Sequence, residues 1–153
     1  MVHVGILSAD EIRFTLNGNF TDPEKNRYTT GQYKAQFKEG SIETVKDGKK
    51  YPTCTSLALQ PEDRNTGSFT IADVMIGINF HWQKKEDQVF RGGLILSAMK
   101  DRIGVVNQIP VEDYLISVIS SEMSAHSSLE MLKAHAVISR SWLLAQIEKN
   151  KTL

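Results

Sequence analysis

The stretch I-S-S-E-M-S-A-H-S-S, residues 119–128, sets a single acid, Glu122, among small polar residues between two segments of helical pattern. A carboxyl near the C-terminal end of a helix meets the partial negative charge of the backbone dipole, which disfavours its ionised form. Partial burial would act in the same direction. A carboxyl kept protonated near neutral pH is what general acid catalysis on a glycosidic oxygen requires. Ser120, Ser121, Ser124 and Ala125 are small and leave room for a bulky substrate, with Ser121 next to the acid as a substrate contact. The plain alternative for Glu122 is a solvated interhelical carboxylate.

Two cations accompany it. Lys133 and Arg140 are seven residues apart, which puts them on nearly the same side of a helix, two turns from each other. Beside an otherwise apolar stripe they offer charge to carboxylate or carbonyl groups of a sugar polymer, with simple surface solvation as the alternative. In F-H-W-Q-K-K-E-D-Q, residues 80–88, Trp82 stands among polar groups, a composition suited to stacking on a sugar ring, although a Trp closing a strand also serves as core. Other chemistry lacks its motifs: there is no G-x-S-x-G, H-E-x-x-H, C-x-x-C or phosphate-cradling glycine loop. The four histidines, 3, 81, 126 and 135, have no ligand-like spacing, so no metal site is expected from this stretch. The lone Cys54 excludes an intramolecular disulfide and reads as a small, partly buried residue.

The elements that must position these residues change character along the chain. Residues 2–7 and 11–18 alternate apolar and polar side chains, while 74–82, 89–98 and 102–109 are rich in β-branched, aromatic and aliphatic residues. Asn17-Gly18, Asp47-Gly48 and Gly92-Gly93 are turn or bulge signals, Asp47-Gly48 being the best hairpin candidate. Residues 21–32 read as an exposed loop. Behind Pro110, Leu115, Val118 and Ile119 fall at i, i+3 and i+4 with Glu112 and Asp113 in the first turn, which predicts a helix from Val111. A second helix of about five turns opens with Ser127 as N-cap and Glu130 three residues on, and carries Leu129, Leu132, Ala136, Leu143 and Ile147 on one stripe. The expected fold is α+β: an antiparallel β-rich N-terminal two thirds, residues 1–109, followed by two helices in 110–153.

The 153 residues, 41% of them hydrophobic, suffice for one globular domain with a core of its own. Eighteen Lys and Arg balance eighteen Asp and Glu, so no electrostatic footprint points to nucleic acid or to an anionic membrane. No apolar run approaches the roughly 18 residues of a membrane span, and M-V-H-V-G-I-L is too short for a signal peptide. This start fits either a cytoplasmic protein or one whose targeting segment was removed upstream. At the other end, A-Q-I-E-K-N-K-T-L follows a long helical pattern without a glycine cap, and we expect a larger protein to have been cut there.

Taken together, F-R-G-G-L-I-L-S, R-I-G-V-V-N-Q-I-P-V-E-D-Y-L-I-S-V-I-S-S-E-M and S-L-E-M-L-K-A-H-A-V-I-S-R-S-W-L-L-A-Q resemble the SpoIID/LytB domain of stage II sporulation protein D and the amidase enhancer, from about Phe90 to Gln146. The resemblance implies an exported cell-envelope protein and a lytic transglycosylase that cleaves MurNAc-GlcNAc bonds of stem-peptide-free peptidoglycan strands. It makes Glu122 the catalytic acid, and gives Lys133 and Arg140 roles in activity or substrate contact. The alternative it leaves is a non-catalytic peptidoglycan-binding module or an enhancer of a cell-wall amidase. No cofactor is implied within this stretch; in some members zinc ligands lie in a later part, which here would fall beyond Leu153. Many relatives have proline after the E-M pair, where this chain has Ser124, so the loop around Glu122 is expected to be shaped differently.

Overall fold

A computed structural model of the chain describes residues 1–76, 81, 83–124 and 126–151. The expected α+β order holds, with twelve strands in the described residues before two helices. Two compact units divide the chain: His3–Gln108, and Ile109–Leu153 with Met1–Val2.

The first unit is built from two six-stranded sheets. One has the order β10-β9-β2-β5-β6-β7, from β10 (Lys84–Arg91), β9 (Ser68–Ile76), β2 (Glu11–Asn17), β5 (Gly31–Lys38), β6 (Ser41–Lys46) and β7 (Lys49–Lys50). The other has the order β1-β12-β11-β8-β3-β4, from β1 (Val2–Ala9), β12 (Ile103–Ile109), β11 (Gly93–Ala98), β8 (Ser56–Pro61), β3 (Phe20–Thr21) and β4 (Arg27–Tyr28). Strand β2 shows why these segments form: Ile12, Phe14 and Leu16 alternate with Glu11, Arg13 and Thr15, and the pleat sends the first set inward. Phe14 and Phe69 from one sheet and Phe20, Leu59 and Leu96 from the other belong to a single buried cluster.

The Asp47-Gly48 turn is the hairpin the dipeptide predicts. Val45 and Lys46 face Lys50 and Lys49, and both turn residues have positive φ, 50° and 78°, the backbone of a two-residue turn that favours Asp-Gly.

Other expectations need correction. The Gly92-Gly93 signal does mark a break, at Gly92, φ 88°, but more than a turn or bulge within one sheet: the halves of the run 89–98 enter different sheets as β10 and β11. Only glycine takes that conformation without strain. Buried Asn107 holds the crossing, its Nδ2 donating to the carbonyls of Arg91 at 2.8 Å and Gly93 at 3.1 Å. The stretch 21–32 is not simply a loop: β3 and β4 pair across a tight turn in which Lys25 has φ 66°, and Tyr28 is buried against Tyr33 and Tyr51. Of the strand expected over 74–82, Val74–Ile76 close β9, while 77–80 and 82 lie outside the described residues.

In the second unit α1 (Val111–Glu122) follows Pro110, and its first turn carries Glu112 and Asp113 as expected. Leu115 is its buried residue. Helix α2 (Leu129–Lys151) is longer than expected, 23 residues, or about six turns. Its cap is Ser128 rather than Ser127: Ser128 Oγ accepts from the Met131 N–H at 3.3 Å, and Glu130 is engaged by Lys133 instead of closing a capping box. Along the expected stripe Leu143 is buried and Leu132, Ala136 and Ile147 are half-buried, whereas Leu129, in the first turn, is exposed.

Candidate functional site

Helices α1 and α2 enclose a cleft of about 410 Å³ lined by Tyr114, Leu115, Val118, Glu122, Ile138, Ser139, Trp142 and Leu143. The lining follows from helical spacing. Residues 115, 118 and 122 of α1 repeat every three or four positions, as do 138, 139, 142 and 143 of α2, so one stripe from each helix faces the other. The walls are aliphatic and aromatic, and the polar groups converge on Glu122 and Ser139. Helix α1 ends there: Met123 turns to an extended conformation while its N–H donates to the Ile119 carbonyl at 3.0 Å.

Glu122 is the last residue of α1, as expected, and its side chain is 58% exposed, so the fold alone shields it little from water. Its Oε2 lies 3.1 Å from Nε2 of His135 on α2, whose side chain is 23% exposed. The nitrogen is buried and off the line of an ideal hydrogen bond, so the contact is one of proximity and charge rather than an aligned bond. The other ring nitrogen, Nδ1, is 3.4 Å from Ser139 Oγ, one turn further along α2. Ser139, His135 and Glu122 thus form a chain ending on the carboxylate at the cleft.

Lys133 and Arg140 do not line the cleft. Lys133 Nζ is 2.9 Å from Glu130 Oε1, and the Arg140 guanidinium grips Glu112 in the first turn of α1. Glu112 precedes Glu122 by ten residues, about 15 Å along the helix axis, so Arg140 is paired at the opposite end of α1 from the acid. Ser121 is exposed, and its hydroxyl donates to the Val118 carbonyl at 2.8 Å. Trp82 lies outside the described residues.

Two residues at this site, one against the acid and one in the cleft wall, were not singled out by the sequence. His135 was one of four histidines without ligand spacing; its partner is thirteen positions away across a helix-turn-helix, and only the angle of that turn joins them. Trp142 is 61% exposed and lines the same cleft. Its signal was available: residues 135, 138, 139 and 142 follow the i, i+3, i+4, i+7 pattern of one helix face.

The β unit has a larger concavity, about 570 Å³, whose lining includes Arg13, Lys34, Lys46, Asp73 and Asp87. These five charges are engaged with one another or with the surrounding chain. Arg13 pairs with Asp73, Asp87 accepts from the Asp73 N–H at 3.1 Å, Lys34 pairs with Glu11, and Lys46 Nζ donates to Thr29 and Thr30. Among the described residues no three His, Cys, Asp or Glu side chains cluster so as to hold a metal ion. Among the same residues no helix is long and apolar enough to cross a membrane.

Comparison with known proteins places this geometry. Residues 99–152 match the family model of SpoIID, stage II sporulation protein, a span that contains every residue lining the cleft. The match marks this segment as related to a cell-wall family. An uncharacterised protein of Brachyspira hyodysenteriae is 38% identical over 61 residues, which cover 40% of this chain and 17% of that protein. The aligned part thus spans about a sixth of the length of that curated relative. No solved structure matches the chain.

Proposed function

We propose that this chain carries the acid-bearing part of a peptidoglycan lytic transglycosylase of the cell envelope, with Glu122 as its general acid and base. The observation that carries the reading is that Glu122 is the single carboxylate lining the cleft among the described residues. Glycosidases that hydrolyse their substrate use two carboxyl groups, one to protonate the leaving oxygen and one as nucleophile or to activate water. A lytic enzyme needs one. Glu122 protonates the glycosidic oxygen between MurNAc and GlcNAc, and the same carboxylate then takes the proton from the C6 hydroxyl as that oxygen closes on C1. The product is a 1,6-anhydromuramyl end, and no water is consumed.

The cleft suits such a substrate. Trp142 presents an exposed aromatic surface on the α2 side of the cleft, across from the α1 stripe that ends in the acid, where the apolar face of a sugar ring can stack while its hydroxyls stay wet. A glycan in this cleft excludes water from Glu122, supplying the desolvation that the free protein lacks. Ser121 follows as a contact beside the acid. Lys133 and Arg140 follow as outer contacts, for which a glycan carboxyl or carbonyl must compete with Glu130 and Glu112. Export, and peptidoglycan strands stripped of stem peptides as partner, belong to the same reading.

A second reading, a non-catalytic glycan-binding module or amidase enhancer, is favoured by the exposure of Glu122 and its contact with a basic side chain. The test is mass spectrometry of amidase-stripped strands after incubation with the protein and with Glu122→Gln. The enzyme reading expects anhydro ends from the first and none from the second, with both bound. Strands bound but uncleaved by the unmutated protein sink the enzyme and leave the module.

A further inference from the structure

The polar chain Ser139–His135–Glu122 has a direction. We propose that His135 is the positioning residue of Glu122: it holds Oε2 as a hydrogen-bond acceptor and so reserves Oε1 as the oxygen that carries and delivers the proton. This rests on Glu122 being the general acid.

A serine hydroxyl next to an imidazole nitrogen donates its proton when that nitrogen is bare. A carboxylate oxygen can only accept, so Glu122 Oε2, 3.1 Å from Nε2, favours the ring protonated at Nε2, and Ser139 Oγ, 3.4 Å from Nδ1, is placed to donate to that bare nitrogen. The Nε2–H is buried, and among the described residues it has no aligned partner. A buried donor left unsatisfied is costly, and a small rotation of the Glu122 side chain, which is exposed and free to turn, aligns it. With Oε2 so occupied, a proton on the carboxyl resides on Oε1. Neither nearby cation of α2 competes for the acid: Lys133 is bound to Glu130 and Arg140 to Glu112. His135 also occupies the face of α2 that carries Ser139 and Trp142, so one helix face sets both the acid's rotamer and the surface on which the sugar would lie.

The test uses the full chain and two readouts. In turnover of amidase-stripped glycan strands, His135→Ala lowers kcat about ten- to hundredfold, the size of one lost hydrogen bond to a charged group, while KM stays within about twofold. His135→Gln keeps an N–H donor there without the imidazole and recovers most of the rate. Unchanged kcat in His135→Ala, or a Gln variant no better than the Ala variant, overturns the proposal. The second readout needs no turnover: long-range proton–nitrogen NMR of the His135 ring. It is expected to show the Nε2–H form, to move at Nε2 in Glu122→Gln, and to move at Nδ1 in Ser139→Ala. A ring indifferent to both substitutions overturns the pairing even if the unmutated protein releases no anhydro ends, an outcome that counts separately against the lytic reading.

Discussion

Arg140 on α2 is held by Glu112 in the first turn of α1, so a cation offered by the sequence for substrate is occupied by an acid of its own hairpin. Both ends are more than half exposed, at 51% and 63%, which limits the pair to at most about 1 kcal/mol. Removing the competitor tests whether glycan takes its place. Glu112→Gln is expected to tighten binding of stripped strands by no more than about fivefold, the affinity equivalent of an exposed ion pair. Arg140→Ala in the same background removes the gain. Co-sedimentation at low and high salt measures both.

Asn107 spans the point where the chain changes sheets, bonding the carbonyls on either side of Gly92. Asn107→Ala leaves two carbonyls without their donor in a buried position and is expected to cost about 1–3 kcal/mol. Urea unfolding of the β unit checks it, with a lower midpoint at unchanged slope as the expected result.

Burial, and then the charge of Asp22, push the Tyr28 hydroxyl up from 10.0 to about 12. The sign is that of a group whose neutral form the fold favours: its contribution is complete below pH 10, the unfolded value, and is lost as pH rises through about 12. Alkaline unfolding of the β unit should therefore begin between these values. Tyr28→Phe keeps the ring and removes the ionisation, so its transition moves to higher pH. Circular dichroism followed together with tyrosinate absorbance distinguishes the two proteins.

Two glycines should respond oppositely to a methyl group. A Cβ at Gly67 would stand 2.5 Å from Pro61 Cβ and 2.7 Å from the Asp63 carbonyl oxygen, neither of them a flexible side-chain end. Gly67→Ala is expected to destabilise by about 1–3 kcal/mol. At Gly5, in exposed strand, nothing lies within 4 Å, and Gly5→Ala is expected to be neutral or to stabilise by up to about 1 kcal/mol through the unfolded chain. Thermal melts of the two variants give the comparison.

What could be read from the sequence was whatever local rules decide. Pro110 with two acids behind it marked the start of α1, Asp47-Gly48 its hairpin, and the alternation of 11–17 an inward face. The sheet change at Gly92 was not legible, because residues on either side are equally suited to a strand and only tertiary pairing assigns them to different sheets. Strands β3 and β4, two residues each, are too short to show a period. Adjacent serines at 127 and 128 offered two caps, and the geometry of the turn chose the second. The place of Glu122 at the end of α1 was legible, whereas its neighbour His135 was not: helix periodicity places residues on faces but says nothing about which face of another helix they meet.

Strand β10 ends its sheet, and such a strand offers a row of unpaired backbone groups to any chain that drifts against it. Here Lys84, Lys85, Glu86 and Asp87 follow one another along that rim, and the register with β9 slips between Glu86 and Gln88. A foreign strand docking there would have to strip water from four successive charges and follow a kink that its own regular pleat cannot match. The charge of this segment guards the rim against edge-to-edge aggregation.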